Sequence, residues 1–227
     1  MIWLAPESCA TQITKKILKN YNFSFAIPSE QDNDPKFQEK RHFHSNIIDK
    51  SYEDFQTILS VRNPYDLVFS FYVNNYLSSP LTKESKNVEG KFNDWIRKVF
   101  LNHGYYVFLH PFYKYKDFRF NKWRFDDDKS YHFVLRTETL YKDIIQLPFV
   151  KHESETIKKE IESSIENNGF LNKRHHRFNE LYDFKSAQLI YHFFKPYFYR
   201  FEYSPFSFTQ ESLSEEQKIT FIHGYID

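Results

Sequence analysis

Cysteine and glycine are scarce, long apolar runs are missing, and neither sign of charge prevails. A single cysteine, Cys9, stands in 227 residues. No intrachain disulfide can form, and a zinc site built on several cysteines is excluded. Four glycines exclude a glycine-rich repeat. The 31 Lys and Arg meet 30 Asp and Glu, for a net charge of +1. The chain as a whole therefore lacks the electrostatic footprint of a nucleic-acid binder, which leaves only a local basic patch open. No stretch approaches the ~20 apolar residues that span a bilayer. The opening run from Ile2 to Ala5 is closed by Pro6 and Glu7, too early for a signal peptide. The expectation is a soluble, cytoplasmic protein.

Aromatic residues are abundant instead, at 20% of the chain, with 26 Phe, 17 Tyr and 3 Trp. Large rings bury much area per residue, so a core can form although the hydrophobic share is only 41%. Disorder over most of the length is excluded. No internal repeat and no shift of composition marks a boundary. One domain over 1–227 is expected, with its core over about 2–203 and a peripheral tail over 204–227 holding a short helix near Glu215.

Ile2-Trp3-Leu4-Ala5 reads as a buried strand. Ile13, Ile17, Leu18 and Tyr21 then recur at helical spacing, so the unit is strand, tight loop, helix. Phe23 to Ile27 alternates like a second strand. Residues 28–41 read as an exposed loop. Thr57 to Val61 is a central-strand candidate, and Asn63-Pro64 is a helix start, with Asn as cap and Pro at the first helical position. The helix from Tyr65 to Leu77 is apolar nearly all round and should be well buried. Residues 78–89 read as a polar connection before an amphipathic helix from Phe92 to Leu101. Tyr131 to Leu135 is a third strong strand, followed by a helical segment from about Glu138 to Ile145. Residues 154–166 read as a charged, exposed helix, and Phe178 to Phe198 as a long aromatic-rich one. Strands separated by helices predict an α/β fold with a central parallel sheet flanked by helices. In such folds ligands sit at the carboxyl ends of strands, here Pro6 to Gln12 and Arg62 to Ser70.

The first of these segments can present free backbone N–H groups at a helix N-terminus, which suits a phosphate. Ser8, Cys9, Ala10 and Thr11 are small enough to admit an anion, and Thr11 adds a hydroxyl. The pattern is not a Walker loop, because no Gly-Lys-Ser/Thr is present. An ordinary strand–helix turn explains the same residues. In the second segment Arg62 ends a strand and Ser70 lies in the following helix. A guanidinium fork and a hydroxyl match phosphate oxygens. An Arg so placed equally suits a pair with Asp66. The third element is Arg41-His42-Phe43-His44, where a histidine could serve as general base, as a surface residue or, by its alternate spacing, as a metal ligand. Lys173-Arg174-His175-His176 reads as a solvated basic turn or an anion site.

The order of these elements resembles the sulfotransferases that use 3′-phosphoadenosine 5′-phosphosulfate (PAPS), above all the carbohydrate and uronyl 2-O-sulfotransferases. The family's Pro-Lys-Thr-Gly-Ser-Thr-Ser type loop is matched by Pro6-Glu7-Ser8-Cys9-Ala10-Thr11-Gln12. Its V-R-N-P-Y-D-R-L-V-S-x-Y motif is matched, more specifically, by V-R-N-P-Y-D-L-V-F-S-F-Y over 61–72. Phe133 to Leu140 is similar to a family strand end, and Arg200-Phe201-Glu202-Tyr203 to its closing Phe-Gly-Tyr. His42-Phe43-His44 resembles the His-Gly-His of the uronyl enzymes, whose second histidine is the proposed base.

The resemblance implies a P-loop-like nucleotide-binding fold and transfer of a sulfuryl group from PAPS to a hydroxyl of an acceptor, a sugar or glycan, with no metal, no nucleic acid and no membrane span. It implies that residues 8–12 hold the 5′-phosphosulfate and that Arg62 and Ser70 hold the 3′-phosphate. His44 would be the base, with His42 second, and Lys173 and Arg174 would be further anion contacts. The aromatic and basic segment 104–124 would line an acceptor cleft or form an irregular packed cap. One departure stands out: the family's loop lysine is Glu7, a carboxylate that should repel a phosphosulfate. Either Lys15, Lys16 or Arg41 substitutes, or Glu7 is itself a base, or the chain is a non-catalytic nucleotide- or glycan-binding relative. Cys9 also replaces a family glycine where backbone is tight. A small-molecule P-loop kinase is the remaining rival, without the loop it would need.

Overall fold

The computed structural model describes residues 2–4, 11–18, 24–25, 57–73, 88–98, 100, 132–167 and 175–224. They fall into two compact units, one of residues 1–62 and 122–173, the other of residues 63–121 and 174–227.

The first unit is α/β. Its strands are β1 (Ile2–Leu4), β2 (Ser24–Phe25), β3 (Thr57–Val61) and β4 (Phe133–Arg136), all parallel, in the order β2-β1-β3-β4. The register pairs Leu4 with Leu59 and Val61 with Arg136. As the sequence predicts, Thr57–Val61 is an interior strand. Ile58, Leu59, Ser60 and Val61 are all buried, so both faces of β3 are covered, as parallel sheets require. Helix α1 (Thr11–Leu18) connects β1 to β2 and buries Ile13, Ile17 and Leu18.

After β4 the expected helix from Glu138 to Ile145 is broken up. A 3-10 turn covers Thr137–Thr139, then come α4 (Leu140–Ile144) and α5 (Pro148–Lys151). Asp143 holds the turn, its Oδ2 accepting from the Arg136 amide at 2.7 Å and from the Thr139 hydroxyl at 2.9 Å. Helix α6 (Glu155–Asn167) corrects the reading of an exposed charged helix. Its charged residues hide an apolar stripe: Ile161 is only 6% exposed and Ile157 and Ile165 pack beside it, against Ile13, Ile17, Ile144 and Val150. Three isoleucines four apart make one helical face.

The second unit is helical and aromatic. Helix α2 (Pro64–Tyr72) starts as the sequence predicts: Asn63 Oδ1 accepts from the Tyr65 amide at 3.0 Å, and Pro64 opens the helix. Asn63 Nδ2 also donates to Ser207 Oγ at 2.8 Å. Residues 74–77 of the expected helix lie outside the described residues. Helix α3 (Val88–Arg97) begins four residues before the predicted Phe92, because Val88 alone is apolar in its first turn and sets no apolar period. The predicted long helix from Phe178 is two elements, a 3-10 stretch His175–Glu180 and α7 (Phe184–Arg200). Asp183 divides them: its carboxylate accepts from the Ser186 amide at 2.7 Å and caps α7.

The core of this unit is built of rings. Tyr65 lies 5.2 Å from both Tyr182 and Phe198 and 5.7 Å from Phe208. Tyr65 donates to the Pro205 carbonyl and Tyr182 to the Tyr65 carbonyl, so both buried hydroxyls are satisfied. Helix α8 (Glu215–His223) confirms the helix expected near Glu215 and carries a full capping box between Ser214 and Gln217. The segment beyond Ser204, expected to be peripheral, is largely exposed over its described residues but is anchored by two rings. Phe208 and Phe221 are buried, stacked on each other at 5.0 Å. Aromatic residues in a polar tail bury more than its hydropathy suggests.

Candidate functional site

In the sheet order β2-β1-β3-β4, β1 and β3 are neighbours, and the chain leaves them toward opposite edges. That is a topological switch point, where an open α/β sheet leaves a crevice at the strands' carboxyl ends. Two pieces of chain reach this end of the first unit. The loop that follows Leu4 enters α1 at Thr11, and Arg62 follows Val61 directly.

Arg62 is placed where the sequence put it, at the end of an interior strand, and it is 7% exposed. A buried guanidinium needs compensating interactions, and Arg62 is not without a partner. Ser70 lies on α2 in the second unit, half-buried. Thr11 and Gln12 open α1, an eight-residue helix whose first amides have no acceptor within the helix. Glu7, Ser8, Cys9, Ala10, His42, His44, Lys173 and Arg174 lie outside the described residues, as does the segment 104–124.

The strand ends also carry residues of the Phe133–Leu140 stretch to which motif reading gave no role. Arg136, opposite Val61 in the register, ends β4. Thr137, also buried, donates its hydroxyl to the Val61 carbonyl at 3.0 Å and so ties the end of β4 to the end of β3. The signal for both was the Leu-Arg-Thr-Glu sequence directly after a strong strand.

Lys16, one of the cations considered as a substitute for the loop lysine, is exposed. It lines a groove of about 670 Å³ with Thr156, Lys159, Glu160, Ser163, Ser164 and Asn167. The groove therefore draws on α1 and the polar face of α6. Among the described residues no three metal-ligating side chains come together, and no helix is long and apolar enough to cross a membrane.

No protein-family model, no curated protein and no solved structure matches the chain.

Proposed function

We propose that this chain is a PAPS-dependent sulfotransferase that transfers a sulfuryl group to a hydroxyl of a sugar or glycan. One observation carries the reading: the V-R-N-P-Y-D-L-V-F-S-F-Y stretch begins at the carboxyl end of an interior parallel strand next to the switch point, with its arginine buried. That position is where a nucleotide binds in open α/β sheets. The capped helix start at Asn63-Pro64 fixes where the strand ends and the helix begins.

Sulfuryl transfer, like phosphoryl transfer, needs positioning and charge neutralisation more than covalent help. On this reading Arg62 and Ser70 hold the 3′-phosphate, and so separate PAPS from ATP. The residues entering α1 hold the 5′-phosphosulfate by their amides. The acceptor oxygen attacks sulfur as His44 takes its proton. The bond from sulfur to the bridging oxygen breaks, and its electron pair leaves with 3′-phosphoadenosine 5′-phosphate (PAP). Cytoplasmic location and a glycan acceptor belong to the same proposal.

A second reading is favoured by Glu7, which stands where the family has lysine. It makes the chain a sulfotransferase-like binding protein that holds nucleotide or glycan without turnover. Calorimetric titration with PAP, with ATP and adenosine 5′-phosphate as controls, tests the nucleotide site common to both. Selective PAP binding is expected, and Arg62→Ala should abolish it. Binding that persists in a folded Arg62→Ala variant would overturn the assignment of that motif. Turnover of labelled PAPS on a glycan panel then separates enzyme from binding protein.

A further inference from the structure

Arg62 is the last residue of the first unit, and it hangs from the peptide group that follows Val61 at the end of β3. A peptide group is planar. Whatever holds the Val61 carbonyl oxygen therefore also sets the direction in which the Arg62 backbone leaves the sheet. Thr137 holds that oxygen. Its hydroxyl donates to the Val61 carbonyl at 3.0 Å, in a buried bond between the ends of β4 and β3. The register pairs Val61 with Arg136, so Arg62 and Thr137 are the first residues past the paired ends of these two strands. The hydroxyl stands where the next rung of the ladder would be.

Thr137 is itself held in place. It opens the 3-10 turn, and Asp143 brackets it, accepting from the Arg136 amide before it and from the Thr139 hydroxyl after it. Its β-branched side chain is stiff at χ1, so the hydroxyl is aimed before any ligand arrives. Both ends of the arrangement are buried, Thr137 on one side and Val61 and Arg62 on the other. A buried carbonyl deprived of its donor turns toward another, and it carries the peptide plane with it. A small turn of that plane is magnified at the guanidinium, which lies at the far end of a long side chain.

We propose that Thr137 is a positioning residue: it fixes the peptide between Val61 and Arg62 and so presets the buried Arg62 guanidinium for an anion. The proposal rests on the nucleotide reading, in which that anion is the 3′-phosphate of PAPS. It adds that recognition of this phosphate depends on a hydroxyl acting through Arg62. Fixing the root of a flexible side chain in advance lowers the cost of ordering it on binding.

Calorimetric titration of the native chain, Arg62→Ala, Thr137→Val and Thr137→Ser tests this with two ligands. PAP carries the 3′-phosphate; adenosine 5′-phosphate lacks it, and its affinity is read by displacement of PAP. Thr137→Val keeps the shape and removes the donor. It should weaken PAP about tenfold and leave adenosine 5′-phosphate unchanged, because only the contribution of the 3′-phosphate passes through Arg62. Thr137→Ser restores the hydroxyl and should return PAP affinity close to the native value. A merely structural role would weaken both ligands alike, or lower the urea midpoint and neither affinity; each of these results would overturn the proposal, as would a failure of Thr137→Ser to rescue. If Thr137→Val does not fold, Thr137→Cys, with its weak S–H donor, replaces it: a loss confined to PAP supports the proposal, and an equal loss or none overturns it. A native chain without preference for PAP, or a preference that survives Arg62→Ala, would overturn the nucleotide reading and this proposal together. A preference lost in Arg62→Ala but kept in Thr137→Val would overturn this proposal alone.

Discussion

Glu202 is the described non-glycine residue that holds a positive φ, at 57°. It follows the cap of α7 in a Schellman ending: Tyr203 N–H donates to the Phe198 carbonyl at 3.0 Å and Glu202 N–H to the Tyr199 carbonyl at 3.4 Å. The left-handed region costs an ordinary residue ~1–2 kcal/mol, and glycine gives back part of that in the unfolded chain. Glu202→Gly should therefore stabilise the second unit by about 0.5–1 kcal/mol, read as a higher urea midpoint with unchanged slope. Asp183 invites a pH prediction. Burial alone would raise its pKa, but the Ser186 amide, the Ser186 hydroxyl and Arg97, 2.6 Å away, hold it below the ordinary carboxylate value. Its folded pKa lies under its unfolded one, so its stabilisation is present above about pH 3.9 and is lost as pH falls through the lower folded value. Stability of Asp183→Asn should vary less with pH across that acid window than stability of the native chain. Equal slopes would show that the cap works without its charge.

At the scale of elements, legibility followed local chemistry. Asn63-Pro64 announced α2 to the residue, because a cap and a first-turn proline are both local signals. Strand β3 was legible because a short apolar, β-branched run has few other uses. Asp183 was a cap hidden inside an aromatic helical pattern, and rings at helical spacing on both sides masked the break. Helix α6 misled for the opposite reason. Its ten charged and polar residues outweighed, in any average, the three isoleucines that do its packing. Ile161→Ala should cost about 2–4 kcal/mol in the first unit, since the cavity left behind cannot close fully. Glu166→Ala, on the exposed face, should stay within about 0.5 kcal/mol. Urea unfolding of both variants checks the contrast, and a small loss for Ile161→Ala would mean that α6 is only laid on the surface.

For the molecule as a whole, the sequence foretold a parallel α/β sheet with Arg62 at the end of an interior strand, but it contained no sign of the division into two units. That division falls between Arg62 and Asn63, inside the most specific motif, where composition does not change at all. Arg62 and Ser70 thus belong to different units although a single motif names both. The nucleotide reading depends on more of the chain than either residue, and Glu7 is its sharpest test. A carboxylate beside a phosphosulfate should weaken binding, and a lysine there would add a charge-assisted donor. If the loop after β1 faces the nucleotide, Glu7→Lys should tighten PAPS and PAP binding by about tenfold, most at low salt, because screening weakens exposed charge pairs. Calorimetry with PAP at two ionic strengths measures both effects. Tighter binding with turnover intact would make Glu7 a tolerated departure, and tighter binding with turnover lost would make it the base. Weaker binding would give Glu7 a different job, since a new cation facing the phosphates should attract them.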